Sequence, residues 1–81
     1  MKLVEFLSLG YKDQLAQLSR FGSLKTVFTL AGYQFSLYQI HDFFVELKRR
    51  QPDLHFEKMM TMRFEELPNE YKLLFQPAPQ Y

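Results

Sequence analysis

The stretch that most constrains the fold is AGYQFSLYQIHDFFVELKRR, residues 31–50, which carries more large apolar side chains than one face of a helix can hold. Ser36 followed by Gln39 is typical of a capping box, the pair of polar side chains that starts a helix. Pro52 disfavours helical geometry in the residue before it. The pattern therefore predicts a helix over residues 37–50. On a helical wheel its apolar arc spans roughly 220°, where about 100° is enough for an ordinary surface helix.

Two interpretations of this wide apolar arc stay open. In the first, a central helix is packed on both flanks inside a small bundle. In the second, part of the arc is an exposed patch that meets another chain, because large apolar patches usually mark contact sites. Few other elements are available in 81 residues to cover both flanks. The second interpretation assigns partner binding to Tyr38, His41, Phe43, Val45, Arg49 and Arg50.

Length and composition predict one folded domain. The chain has 81 residues, and 47% of them are apolar, unlike a disordered protein. Ten Lys and Arg against nine Asp and Glu give a formal charge of +1, too balanced to attract nucleic acid or a membrane by charge alone. Cysteine is absent, which excludes disulfides and thiolate metal sites and fits a cytoplasmic location. No apolar run reaches the ~18–20 residues of a membrane span.

Glycines divide the N-terminal part of the chain into further short helices. Gly10, Gly22 and Gly32 each follow a stretch with helical apolar spacing, where a glycine at a helix C-terminus belongs. The stretch that begins near Leu24 has the clearest stripe, with apolar residues at i, i+3, i+4 and i+7. The helices predicted here cover residues 2–9, 13–21 and 23–31.

The C-terminal third is open between helix and strand. Asp53 can cap a helix that runs to Leu67, whereas apolar residues from Leu54 to Phe64 also fit a strand alternation. The helix is favoured because no turn of hairpin type separates two candidate strands. The domain is expected to cover residues 1–76, before a Pro-rich tail at 77–81.

No group of residues predicts catalysis, a metal site or a cofactor. The two histidines, His41 and His55, are 14 residues apart, and Asp53 and His55 point in different directions on a helix. The sequence contains no Gly-rich phosphate loop, GxSxG or HExxH motif. The basic run from Lys48 to Arg50 falls in the last turn of the predicted helix, where cations complement the helix dipole. We therefore expect no enzyme and no cofactor.

Nucleic-acid binding stays open as the alternative function. The predicted helices over residues 23–31 and 37–50 can imitate a helix-turn-helix. The second of them begins LYQIHDFF, which offers an acid and large apolar groups where polar base-reading side chains belong. Protein binding is therefore favoured over nucleic-acid binding.

A series of short motifs in residues 6–47 matches a known family pattern. Phe6 matches its apolar first helix, and GYQFS at residues 32–36 matches its closing motif. The intervening matches are Asp13, Leu15, Leu18, Val27 and Ala31. On these residues the chain resembles the small domain encoded in nitrogen-fixation gene clusters, which also serves as the leader of some ribosomally made peptides. The resemblance implies an all-helical recognition module without catalysis. No Gly-Gly cleavage site or Cys-bearing core peptide follows, so a free-standing binding protein is the expected form.

Together these patterns predict an all-α bundle of four to five short helices. The expected function is protein–protein binding, as an adaptor or regulator that acts with another chain or as a homodimer. Phe43 would insert into a groove of the partner, with Arg49 and Arg50 as a polar rim. Phe43→Asp would then abolish association and leave the helical circular dichroism unchanged.

Overall fold

The structure is a computed structural model that describes residues 1–75 of the chain. Two helices come first, four strands follow, and a short helical segment ends the described part. The elements are α1 (Leu3–Leu7), α2 (Tyr11–Phe21), β1 (Ser23–Leu30), β2 (Tyr33–Ile40), β3 (Phe43–Arg50), β4 (His55–Met62), a 3₁₀ turn (Phe64–Glu66), α3 (Asn69–Lys72) and a second 3₁₀ turn (Leu73–Phe75). The predicted tail at residues 77–81 lies outside this range.

The four strands form one antiparallel sheet in the order β1-β2-β3-β4. The prediction of an all-α bundle is therefore wrong, and so is the all-helical fold that the family resemblance implies. The helices predicted over residues 23–31 and 37–50 are absent from the described chain, since these residues form β1, the second half of β2 and β3. The C-terminal third contains β4, the alternative that the apolar alternation left open, followed by short helical turns.

Two-residue turns explain why these segments pair as strands. Ala31 and Gly32 both have positive φ, 54° and 83°, which is the backbone of a type I′ hairpin turn. Gly32 therefore belongs to a hairpin and does not end a helix. His41, with φ 56°, starts the equally short turn between β2 and β3. The β3–β4 connection is longer and includes Leu54 at φ 57°.

The wide apolar arc of the predicted helix has a simple origin in the sheet. Phe43, Phe44 and Val45 are consecutive residues of β3, and all three are buried. Successive side chains of a strand point to opposite faces, so a strand covered on both faces has a nearly continuous apolar run. Ser36 and Gln39, the predicted capping box, lie inside β2. The surplus of apolar side chains in this segment is therefore divided between the two faces of the sheet.

One face of the sheet, here called the N-terminal face, packs against α1 and α2. Phe6 of α1 is completely buried, and its ring centroid lies 5.2 Å from that of Phe43. The Gln14 side-chain amide donates a hydrogen bond of 3.0 Å to the Phe6 carbonyl oxygen, which ties α2 to α1. The buried members of this core are Phe6, Leu18, Ile40, Phe43, Val45 and Leu47.

The opposite face, here called the C-terminal face, packs against residues 64–75 over part of its area. Tyr71 of α3 is buried there, and Phe75 packs on Phe44 with ring centroids 5.0 Å apart. The buried members of this second core are Leu37, Phe44, Met62, Leu67 and Tyr71. The sheet thus separates two small cores, each closed by a helical segment from one end of the chain.

The N-terminal helices agree with the sequence prediction to within two residues. Residues 2–9 and 13–21 were expected to be helical, and the helices observed are α1 and α2. Gly22 follows α2 directly, as predicted. The longest helix, α2, has eleven residues, and none in the described range has the length and apolarity needed to cross a membrane.

Candidate functional site

Two of the six predicted partner-binding residues are core residues. Phe43 and Val45 are 1% and 0% exposed, respectively, and both pack on the N-terminal face. Because each is enclosed by its own chain, neither can insert into a partner. The structure thus places Phe43 and Val45 in the core, whereas the sequence analysis expected them on a binding surface.

The other four predicted residues do not form one surface. Tyr38 and Arg49 line a small cleft of about 200 Å³ between α2 and the sheet. His41 is exposed in the β2–β3 turn, where its ring lies 5.9 Å from that of Phe21. Arg50 is exposed at the opposite end of β3 and pairs with Glu57 at 2.9 Å.

The largest exposed apolar feature of the sheet is the edge strand β1. Within the described chain β1 pairs only with β2, so its outer backbone groups have no strand partner. Its sequence, SLKTVFTL, has no proline and no acid, and Lys25 is its one charge. Four of its apolar side chains are exposed: Leu24 at 52%, Val27 at 45%, Phe28 at 39% and Leu30 at 64%. We call this strand with its four apolar side chains the β1 edge.

The other edge strand, β4, is less suited to pairing with another chain. Its register against β3 shifts at Lys48 and Arg49, which leaves Glu57 as an extra residue in the strand. Charged Glu57 and Lys58 are both exposed at this point. Proteins use bulges and charged side chains to prevent a sheet edge from pairing with another chain. The β4 edge has both features at this point, whereas most of β1 has neither.

Residues 64–75 cover the C-terminal face only in part beside the β1–β2 hairpin, where the Tyr71 ring reaches Phe28 with centroids 6.0 Å apart. Two cross-strand rows, here called the open rows, lie there. Their register is Phe28–Phe35–Lys48–Lys58 and Leu30–Tyr33–Arg50–His55. Phe28 and Phe35 stack with centroids 5.1 Å apart, and the Lys48 ammonium lies 4.1 Å from the Tyr33 ring centroid. Each row is therefore apolar or aromatic on β1 and β2 and mostly basic on β3 and β4.

An apolar groove lies between the open rows and α3, with Phe28, Leu30 and Phe35 on one side and Pro68 and Tyr71 on the other. It has a volume of about 280 Å³, and two carboxylates, Glu46 and Glu70, also line it. That volume is near the lower limit of small-molecule sites, and two of the lining residues, Phe28 and Leu30, belong to β1. The groove therefore extends the apolar surface of the β1 edge.

Tyr71 fixes the wall of this groove. Its hydroxyl donates a hydrogen bond to the Glu46 carboxylate on β3. Burial is the main cause that raises the pKa of Tyr71 far above its ordinary value, and the hydrogen bond and negative charge of Glu46 act in the same direction. The phenol stays neutral at physiological pH, so this contact holds α3 against the sheet as a charge-assisted hydrogen bond.

A second cleft, of about 400 Å³, lies near the N-terminus. It is lined by two cations, Lys2 and Arg63, and two carboxylates, Asp42 and Glu65, together with apolar residues. Because the charges balance, the cleft favours neither an anion nor a cation. Among residues 1–75, no three His, Asp or Glu side chains are grouped so that they can hold a metal ion.

Sequence reasoning missed the β1 edge because residues 23–31 were assigned to a helix. A signal was present in the sequence. Thr26, Val27, Phe28 and Thr29 are all strand-favouring residues, and they precede the two-residue turn Ala31-Gly32. The site offers exposed backbone, apolar side chains and cations, which suit binding of a macromolecule.

No protein-family model, curated protein or solved structure matches this chain.

Proposed function

We propose that this protein is a small non-catalytic protein-binding module, an adaptor or regulator, which binds its partner through the β1 edge. One observation carries the proposal: four large apolar side chains are exposed on a strand that has no partner on its outer side within the described residues. Exposed edges of this kind pair with another chain unless they are protected.

The expected mode of binding is strand addition. A partner strand that pairs with β1 gains main-chain hydrogen bonds, while pockets for alternate side chains give selectivity. Val27 and Phe28 point to opposite faces of the sheet, so the partner is held on both sides. The groove beside Phe28 and Leu30 is placed to receive a side chain that projects from the added strand.

The open rows supply the polar rim of this surface. Lys48 and Lys58 continue the row that begins with Phe28, and a polar rim around an apolar centre is usual at protein interfaces. The proposal keeps the recognition role implied by the resemblance to nitrogen-fixation-cluster domains. It transfers that role from a helix to a sheet edge.

Affinity capture with matched variants tests the proposal. Leu30→Lys places a charge at the most exposed apolar position of β1, whereas Val4→Lys makes the same change at an exposed position of α1. We expect the wild type and Val4→Lys to retain the same protein partners, including a differently tagged second copy of this chain. Leu30→Lys is expected to lose them while its circular dichroism stays unchanged. Equal capture by all three proteins would contradict the proposal.

A second candidate function, single-stranded nucleic-acid binding, is favoured by the open rows. Aromatic residues beside cations can stack bases and contact phosphates. The helix-turn-helix form of this alternative does not fit, because its two helices are strands. Fluorescence anisotropy with a labelled single-stranded oligonucleotide tests it. Binding should weaken steeply with salt and fall in Lys48→Ala and Lys58→Ala, but not in Lys12→Ala on α2.

A further inference from the structure

We propose that the partner of the β1 edge is a second copy of this chain. Two β1 strands would pair antiparallel about a two-fold axis at Phe28 and join two four-stranded sheets into one of eight strands. The inference rests on the proposed function, because it names the occupant of the same surface. Three features of the molecule support a second copy: the difference between the two sheet edges, the low charge of β1 and the register that the hairpin imposes.

The two edges of the sheet differ, and this favours a symmetric contact. Pairing β1 of one copy with β4 of the next would be head-to-tail and would build open filaments. The bulge at Glu57 and the exposed charges of Glu57 and Lys58 oppose that arrangement. Pairing β1 with β1 closes the assembly at two copies and leaves the protected β4 edges outside.

The turn sets which backbone groups of β1 face outward. In a two-residue hairpin the residues that flank the turn, Leu30 and Tyr33, form a hydrogen-bonded pair. Hydrogen-bonded and non-hydrogen-bonded pairs alternate along an antiparallel ladder, so the backbone groups of Val27 and Thr29 point away from β2. These two residues can therefore pair with another strand without disturbing the β1–β2 hairpin.

With the two-fold axis at Phe28, every residue in the regular part of β1 faces a residue of the second copy. The strand is regular over residues 26–30, because its register shift against β2 lies between Leu24 and Thr26. About this axis Val27 faces Thr29 of the second copy, and Phe28 faces its own equivalent in a non-hydrogen-bonded pair, where side chains lie closest. The Phe28–Phe35 stack of each copy then continues across the interface, and aromatic cross-strand pairs of this kind stabilise sheets.

Charge does not oppose the contact. Lys25 is the only charged residue of β1, and it lies outside the regular part. About the proposed axis the two copies of Lys25 are six residues apart along the strands, roughly 20 Å at about 3.4 Å per residue. That exceeds the ~8–10 Å screening length at physiological salt, so the like charges repel weakly. The formal charge of the chain, +1, adds little repulsion.

Disulfide cross-linking tests both that the partner is a second copy and that the two-fold axis lies at Phe28. The chain has no native cysteine, so only introduced cysteines can react. Val27→Cys and Thr29→Cys variants, carrying tags of different mass, are mixed and oxidised. We expect the mixed disulfide to form at least tenfold faster than either self-linked product, because the Cα atoms of facing residues lie within disulfide range. A Val4→Cys variant gives the rate of disulfide formation by random collision. If either variant links to itself faster than the mixed disulfide forms, the axis does not lie at Phe28. If the mixed disulfide forms only as fast as the Val4→Cys disulfide, the two β1 strands do not pair.

Sedimentation equilibrium gives the independent readout. The wild type and Val4→Lys should reach twice the chain mass of 9.8 kDa, whereas Phe28→Lys, which sets like charges face to face, should sediment as a monomer. A monomeric wild type across the micromolar range would overturn the inference. If another protein is still captured in a Leu30-dependent manner, the proposed function survives without the second copy. If the wild type is monomeric and captures no other protein, both the proposed function and the inference of a second copy are wrong.

Discussion

At the scale of single residues, a few backbone positions decide the fold. Ala31 has φ 54° and Leu54 has φ 57°, a region where a side chain crowds the following carbonyl oxygen. Of the described residues with positive φ, only Gly32, at 83°, has the residue type that this conformation prefers. The hairpin register that exposes Phe28 therefore depends on a turn whose first residue is not optimal.

The first prediction concerns this turn. Ala31→Asn creates Asn-Gly, the preferred pair for a type I′ turn, and should raise the free energy of unfolding by about 1 kcal/mol. The thermal midpoint should rise by roughly 4–8 °C for a chain of this size. Gly32→Ala is the opposing control. An added Cβ meets no atom within 4 Å, so any loss of stability comes from the strained backbone conformation alone. A destabilised Ala31→Asn variant in thermal denaturation would contradict the turn assignment.

The second prediction concerns the buried phenol of Tyr71. Burial first, and then Glu46, raises its pKa above the unfolded value near 10, so above that pH the native state holds a proton that the unfolded chain has lost. The stabilisation is fully present below pH 10 and is lost as pH rises further, at up to about 1.4 kcal/mol per pH unit. In urea unfolding between pH 7 and 11, the deficit of Tyr71→Phe relative to wild type should shrink above pH 10.

Tyr11→Phe provides the matched control, since it removes a hydroxyl from an exposed tyrosine of α2. At pH 7, Tyr71→Phe should cost roughly 1.5–3 kcal/mol, because Glu46 loses a charge-assisted hydrogen bond. A deficit that stays constant to pH 11 would show that the phenol ionises equally in both states.

At the scale of elements, the central strand β3 explains both the success and the failure of sequence reasoning. The high apolar content of residues 37–50 does indicate an element with two buried sides, but that element is a strand and not the predicted helix. Strands begin at residues 23, 33, 43 and 55, and such regular spacing with intervening turns is typical of antiparallel sheets. The helical spacing from Leu24 competed with this signal because short apolar runs fit both periods.

The third prediction tests the burial of β3. Phe43→Ala should cost about 3–5 kcal/mol, a large share of the ~4–12 kcal/mol expected for a chain of this size. Phe21→Ala is the matched control, since that ring is 50% exposed and should cost only about 1 kcal/mol. Phe43→Asp is now expected to unfold the protein. Equal losses for the two alanine variants in urea unfolding would place Phe43 outside the core.

At the scale of the whole molecule, the sheet has different neighbours on its two faces and at its two edges. Helices α1 and α2 close the N-terminal face, while residues 64–75 close only part of the C-terminal face. The β1 edge lies beside this uncovered part. Among residues 1–75, apolar surface, strand backbone without a strand partner and a basic rim are therefore adjacent, and this adjacency supports binding as the function.

The fourth prediction belongs to this scale. Association through the β1 edge stabilises the folded state by mass action, so the thermal midpoint of the wild type should rise with protein concentration. Phe28→Lys should have a midpoint independent of concentration, whereas Val4→Lys should behave as the wild type. Differential scanning calorimetry over a hundredfold concentration range makes the comparison. A wild-type midpoint that does not change would contradict self-association.

Residue types and their local spacing are enough to predict the two N-terminal helices, the balance of charges and the surplus of apolar side chains around Phe43. These follow from local periodicity and residue type, which act over a few neighbouring residues. The burial of Phe43 and Val45 and the exposure of Phe28 and Leu30 depend instead on how the strands pair in the folded chain. A strand is stabilised by side chains of neighbouring strands and helices that are often distant along the chain, so the pattern within one segment does not show which of its faces will be covered.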